Sequence, residues 1–217
     1  LCYQQPLRFE PGSKWQYSNP GINTLGRIVE VVSGQPYQDF LQRRILDPLG
    51  MKDTTFYPTA GQIKRIARSY APGPGGVGLS ETNVYFIGTN LASRARAPRP
   101  SGGLFSTAPD LFRFYQMILN GGEWKGKRLI SREAVAQMTS LQTGDLKTGF
   151  TDGNGWGFGW CVVRQPTGVT GVLSPGTFGH GGAYGTQGWI APKKDMIVVL
   201  MIQRAKLPNA DASDMRR

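Results

Sequence analysis

The chain is predicted to be an α+β protein, helices first and antiparallel strands after, and three observations carry the prediction. Apolar residues recur at helical spacing over 19–45 and again over 107–118. From residue 155 onward the period changes to alternation, with aromatic and glycine positions interleaved. The last two strand-like runs, 186–191 and 196–202, are joined by Pro192-Lys193-Lys194-Asp195, a short polar link that suits an antiparallel hairpin. Helices followed by such strands form a layered α+β architecture.

In the first helix, 19–32, Ile22, Leu25, Ile28, Val29 and Val32 share a stripe, and Ser33-Gly34 supplies the stop. Pro36 suits the first turn of a second helix with Tyr37, Phe40, Leu41 and Ile45 on its apolar side. Asp47-Pro48-Leu49-Gly50 is expected to end it, because a residue before proline is pushed out of helical space. Thr54 to Tyr57 suits a short strand, and Tyr70 to Gly78, rich in Gly and Pro, reads as loop. The stretch 80–99 has no period and reads as a basic, irregular excursion. Thr107, with Pro109 in the first turn and Asp110 three residues on, starts a helix. It turns Leu111, Phe114, Tyr115 and Ile118 inward and stops at Asn120-Gly121-Gly122. Another helix begins at Ser131, with Val135 and Met138 apolar. Gly155 to Val163 reads as one strand, and the run 196–202 as a strand covered on both faces. The tail, 206–217, is polar.

A chain of 217 residues builds one sizeable core or at most two small domains. Its longest apolar run, Met196 to Ile202, is too short to cross a bilayer as a helix. The segment Leu1-Cys2-Tyr3-Gln4-Gln5-Pro6 has neither an initiator Met nor a signal-peptide pattern, so the chain reads as a piece of a longer protein. The net charge of +11 raises the question of nucleic acid. The densest basic cluster, Arg94, Arg96 and Arg99, lies among Ala and Pro without interleaved aromatics, and reads as a solvated basic surface. No nucleic-acid partner is expected. Cys2 and Cys161 are read as two free thiols. With His180 the single histidine and no cysteine cluster, no metal site is expected.

Two windows carry chemistry. Trp15-Gln16-Tyr17-Ser18-Asn19 ends a proline-punctuated lead-in and opens into the first helix. In extended backbone Tyr17 and Asn19 point the same way. By itself the window suits a half-buried aromatic followed by a helix cap at Asn19. The second window is Phe178-Gly179-His180-Gly181-Gly182-Ala183-Tyr184-Gly185. Glycines let backbone approach a ligand closely, and free N–H groups at a strand edge can stabilise an oxyanion. A glycine-rich turn with an incidental histidine fits it equally. A Ser-His-Asp triad is not supported, since no Gly-x-Ser-x-Gly elbow is present.

Taken together and with their spacing, the windows resemble the serine hydrolases of the class C β-lactamase and penicillin-binding-protein group, which includes β-lactamase-fold esterases and D-amino-acid peptidases. Tyr17-Ser18-Asn19 is similar to the group's Tyr-x-Asn segment, and His180-Gly181-Gly182 to its third motif. Leu46 to Thr54, Gly102 to Thr107 and Gly155 to Trp160 match in order. The resemblance implies a β-lactamase/penicillin-binding-protein-like fold, present in part, as one domain over 1–217. Residues 1–140 would be mainly helix and loop, 141–205 sheet strands, and 206–217 the tail.

It implies roles as well. Tyr17 would be the general base. A free phenol titrates near ~10, so it would need a nearby cation to act at neutral pH. Asn19 would hold the substrate amide or the catalytic lysine. His180 would line the cleft with Gly181 and Gly182, bonding Tyr17 or a substrate carboxylate, and the N–H of Ala183 would be an oxyanion donor. A histidine where relatives carry lysine makes that charge pH-dependent, which shifts weight from β-lactams toward esters or peptides. The implied substrate is a small-molecule ester, β-lactam or D-peptide, with no cofactor, in an exported or periplasmic protein. The group's nucleophile sits in a Ser-x-x-Lys motif upstream of Tyr-x-Asn, and no serine of this chain has a lysine three residues on. The chain alone is therefore expected to be inactive. The alternative is a non-catalytic binding protein that reuses the fold.

Overall fold

Ser18 starts the first helix in the computed structural model, which describes residues 6–84, 87–88, 90–149 and 151–206. Its hydroxyl accepts the Gly21 N–H at 3.0 Å, so Ser18, not Asn19, caps helix α1, Asn19–Ser33. Pro20 sits in the first turn, where its missing N–H costs nothing, and Gly34 ends the helix in the left-handed region at φ 66°. The apolar stripe predicted for α1 is present, but the described residues leave much of it open. Leu25 is 56% and Val32 82% exposed. The one buried position is Gly26, where an added Cβ would lie 2.2 Å from Pro100 Cγ, so the 96–101 segment docks on the helix there.

Helix α2, Tyr37–Leu41, does not stop before Pro48 as the sequence suggests. A π-helical stretch, Gln42–Leu46, carries it into the single turn α3, Asp47–Leu49, and Asp47 keeps helical angles. Pro48 falls within the first residues of that turn, where no N–H is required, and Gly50 in the left-handed region ends it. A short α4, Ala60–Ile63, follows under a Thr59–Gln62 capping box. The 54–57 segment makes one bridge, Thr55 with Phe105, instead of a strand.

The predicted loop after Ser69 contains strand β1, Ser69–Pro72, paired antiparallel with β2, Leu79–Thr82. The basic excursion is also not simply solvated. Arg94 lies 4.8 Å from the Tyr57 ring centroid. Arg96 lies over Tyr57 and Phe105 and donates to the carbonyls of Phe56 and Leu91. Two of the three clustered arginines thus pin the excursion to the 55–57 segment.

Helix α5, Ala108–Leu119, is capped by Thr107 and lies against the main sheet. Met117, absent from the predicted inward face, is fully buried beside Ile118. A small hairpin, β3 Glu123–Trp124 with β4 Lys127–Arg128, leads to α6, Arg132–Thr139.

The main sheet is antiparallel in sequence order, β5 Asn154–Trp156, β6 Cys161–Val163, β7 Phe178–Gly181, β8 Gln187–Ala191 and β9 Met196–Leu200. The run 155–163 is therefore a hairpin, because Gly157 N–H turns back to the Trp160 carbonyl at 2.8 Å. Val162, Phe178 and Ile190 point into the core that Met117, Ile118 and Val135 fill from the helices. Trp156, Cys161, Val163 and Trp189 form a second cluster joined by Trp15 and Leu173. Cys161 is buried, whereas Cys2 and the tail beyond Lys206 lie outside the described residues. Among the described residues, strand β9 is not covered on both faces. Met196 is 39% and Val198 44% exposed at the edge of the sheet.

Candidate active site

The lead-in to α1 is extended, so alternate residues share a side. Trp15 and Tyr17 are those residues, and both reach the sheet. The Trp15 ring stacks on Trp156 with centroids 5.4 Å apart and planes 24° apart. Tyr17 meets the edge of Trp156 at 6.1 Å and of His180 at 5.9 Å. Trp156 and His180 close the group at 5.0 Å, edge to face. Offset-stacked and T-shaped pairs are the favourable aromatic geometries, each worth about 0.5–1.5 kcal/mol beyond burial. The structure thus brings together Tyr17 and His180, which lie far apart in sequence.

His180 stands on β7 opposite Gly188, and its Nδ1 is 2.5 Å from the Gly181 carbonyl. A carbonyl only accepts, so Nδ1 carries the proton in this contact. Beyond Gly181 the chain turns. Gly182 N–H donates to the Thr186 carbonyl at 2.8 Å and Gly185 N–H to the Gly182 carbonyl at 3.0 Å. Gly185 takes φ 96°, and a Cβ there would meet the Arg204 side chain. Ala183 is exposed at the tip of this turn, and its N–H makes no hydrogen bond among the described residues. Asn19 is exposed as the first residue of α1. It lies two residues from Tyr17, but Ser18 takes the capping task. Ser18→Ala is expected to cost about 1 kcal/mol in urea unfolding, whereas Asn19→Ala leaves the helix cap intact.

Tyr115 approaches from behind the sheet. Burial pushes its hydroxyl up to about 12, so it stays protonated. It packs on Gly188, where an added Cβ would lie 2.1 Å from its oxygen. Sequence reasoning did not single out Trp15 or Trp156 as site residues. The signal for Trp15 is its two-residue spacing from Tyr17. Trp156 has the weaker signal of a tryptophan between two glycines. No group of three or more His, Cys, Asp or Glu is placed to hold a metal among the described residues.

The fold is that of the β-lactamase family, helices packed on an antiparallel sheet. The Beta-lactamase family profile matches residues 1–217, and the chain belongs to that family. Protein Rv1367c of Mycobacterium tuberculosis (strain ATCC 25618 / H37Rv) is 32% identical over 221 residues, covering 96% of this chain and 53% of its own length. A protein of Escherichia coli (strain K12), provisionally named a D-alanyl-D-alanine carboxypeptidase, is 31% identical over 97% of this chain and 50% of its own. The chain spans about half the length of the curated relatives it matches. Among solved structures, EstCE1, a hydrolase with promiscuous acyltransferase activity, superposes with TM-score 0.73 at 22% identity, over 96% of this chain and 56% of that one. The simvastatin synthase LovD of Aspergillus terreus gives 0.75 at 17%, over 92% and 52%. Identities this low speak for the fold alone.

Proposed function

We propose that this chain carries the proton-transfer and oxyanion side of a serine acyl-transfer site. Ester or D-peptide hydrolysis through an acyl-enzyme is the reaction. Tyr17 takes the proton of the attacking serine and returns it to the leaving group. His180 holds the phenol or a substrate carboxylate, the N–H of Ala183 receives the developing oxyanion, and Asn19, Gly181 and Gly182 line the cleft. The single observation that carries this reading is the contact between Tyr17 and His180, from motifs on opposite sides of the chain. The Ala183 N–H, which makes no hydrogen bond among the described residues, and the carboxypeptidase and hydrolase names among the matches support it. The serine itself is assigned to sequence upstream of Tyr17, as no Ser-x-x-Lys occurs in the 217 residues.

The test is covalent labelling of the full-length gene product with a fluorophosphonate and a fluorescent penicillin, read by peptide mass spectrometry. The expected label falls on a serine outside residues 1–217, and Tyr17→Phe slows it about 100-fold or more, as removal of a general base does. The 217-residue chain takes no label. A label on any of its own serines overturns the motif assignment. Absence of label from the full-length product favours a non-catalytic binding protein.

A further inference from the structure

Trp156 touches both proposed proton-transfer residues and is itself held with unusual completeness. Its backbone is tied on both sides to the segment that follows α6. Trp156 N–H donates to Thr143 Oγ1 at 3.1 Å, and its carbonyl accepts Gln142 N–H at 2.7 Å. Both flanking residues are glycines because the end of α6 and the segment after it press directly on them. A Cβ on Gly155 would lie 2.1 Å from Leu141 Cδ1, and one on Gly157 would lie 2.1 Å from the Met138 carbonyl. Cross-strand pairing with Cys161 fixes the register, and Trp15 stacks on the ring. The indole is 9% exposed, and its N–H reaches no acceptor among the described residues. Rings and backbone therefore hold this side chain, not a hydrogen bond of its own.

We propose that Trp156 is the positioning residue of the site, a fixed ring that sets the phenol of Tyr17 against the imidazole of His180. The inference rests on the reading of those two as the proton-transfer pair. Tyr17 comes from a loop before α1 and is 41% exposed, so its lead-in alone does not fix the ring. His180 comes from β7, where the sheet fixes its backbone and the Gly181 carbonyl holds Nδ1, and the Trp156 ring sets the tilt of its imidazole against the phenol. Trp156 contacts both rings by edge-to-face geometry, which restricts tilt as well as distance. Displacement of a reacting group by about 1 Å is enough to cost about 100-fold in rate.

His180 is the single histidine of the 217 residues, so its ring-proton signals need no further assignment. In a longer gene product they are identified by their loss in His180→Gln. Proton NMR is expected to show these signals upfield of a histidine peptide and a cross-peak from the Tyr17 ring to His180. Trp156→Phe retains both, since a ring remains and the indole N–H has no acceptor among the described residues. Trp156→Leu loses both while the amide spectrum stays dispersed. Trp156→Met replaces it should the leucine variant fail to fold. Trp15→Leu disturbs the same cluster but leaves the His180 signals in place, which a general packing defect would not do. In the labelling assay, Trp156→Leu slows acylation about 10- to 100-fold and Trp156→Phe restores most of the rate. A cross-peak that survives in Trp156→Leu, or is lost in Trp156→Phe, overturns the inference. If the full-length product takes no label, the acyl-transfer reading fails while the NMR comparison still decides the role of Trp156.

Discussion

Gly179→Ala is expected to prevent the main sheet from forming. The added Cβ would lie 2.2 Å from the Gly188 carbonyl oxygen, 2.7 Å from Trp189 Cδ2 and 2.8 Å from Trp189 Cα. Two of these three atoms are backbone of β8, which pairs with β7 on one side and with β9 along its whole length on the other. No side-chain rotation relieves the contact, and β8 cannot retreat without giving up its register with β9. Ordinary overpacking of a core costs about 1–3 kcal/mol. A clash with paired backbone exceeds that and takes up much of a domain's stability of about 5–15 kcal/mol. Gly188→Ala provides the control. The three atoms nearest its Cβ all belong to the Tyr115 side chain, at 2.1 to 2.6 Å, so a second change, Tyr115→Val, is expected to recover part of the loss. Trimming Trp189 cannot rescue Gly179→Ala, because the Gly188 oxygen and the Trp189 Cα remain. Urea unfolding of the four variants checks this ordering. A Gly179→Ala protein with an unchanged midpoint would show that the two strands are not this close.

The same glycine explains why the central strand of the site was hard to read. Gly179 and Gly181 carry no β-propensity, so 178–181 looks like a turn, although Gly179 is glycine to let β8 approach. Helix α5 was legible because period, cap and stop agreed, and α1 through its period and stop, although its cap is Ser18 and not Asn19. The helix through Pro48 was not, because a π-helical stretch and a fresh first turn accommodate the proline, and neither leaves a mark in the pattern. The 155–163 hairpin was read as one strand because its turn, Gly157 to Trp160, continues the alternation of glycine and aromatic. For the candidate site, Tyr17 and His180 were visible through motif order. Their meeting depends on a tryptophan that the sequence places among many aromatics. The Arg94 and Arg96 contacts were invisible for a similar reason, since Tyr57 and Phe105 are remote in sequence.

Asp110→Ala is the second change expected to cost several kcal/mol, and it separates burial from charge. Asp110 is 3% exposed in the first turn of α5, where a negative charge also favours the helix. Its Oδ2 accepts the Asp53 N–H at 2.8 Å and the Thr54 hydroxyl at 3.0 Å, and Oδ1 pairs with Arg113 at 2.5 Å. These contacts bind the turn after Met51 to the start of the helix that carries Tyr115 against the sheet. Removing one partner of a buried charged pair costs about 3–5 kcal/mol. The lower end applies here. Thr54 keeps Ser106 at 2.8 Å, and Arg113, 37% exposed, keeps the Gly50 carbonyl and water. The group left with nothing is the Asp53 N–H. Asp110→Asn should retain one acceptor yet still destabilise, since an amide must turn its NH2 toward either the Asp53 N–H or the Arg113 guanidinium, donor against donor. Thr54→Val alone loses one hydrogen bond, about 1 kcal/mol. Added to Asp110→Ala it should cost less than that, because the Thr54–Asp110 bond is already gone. Urea midpoints over this cycle measure the coupling, and strict additivity would mean that Asp110 and Thr54 do not share a bond.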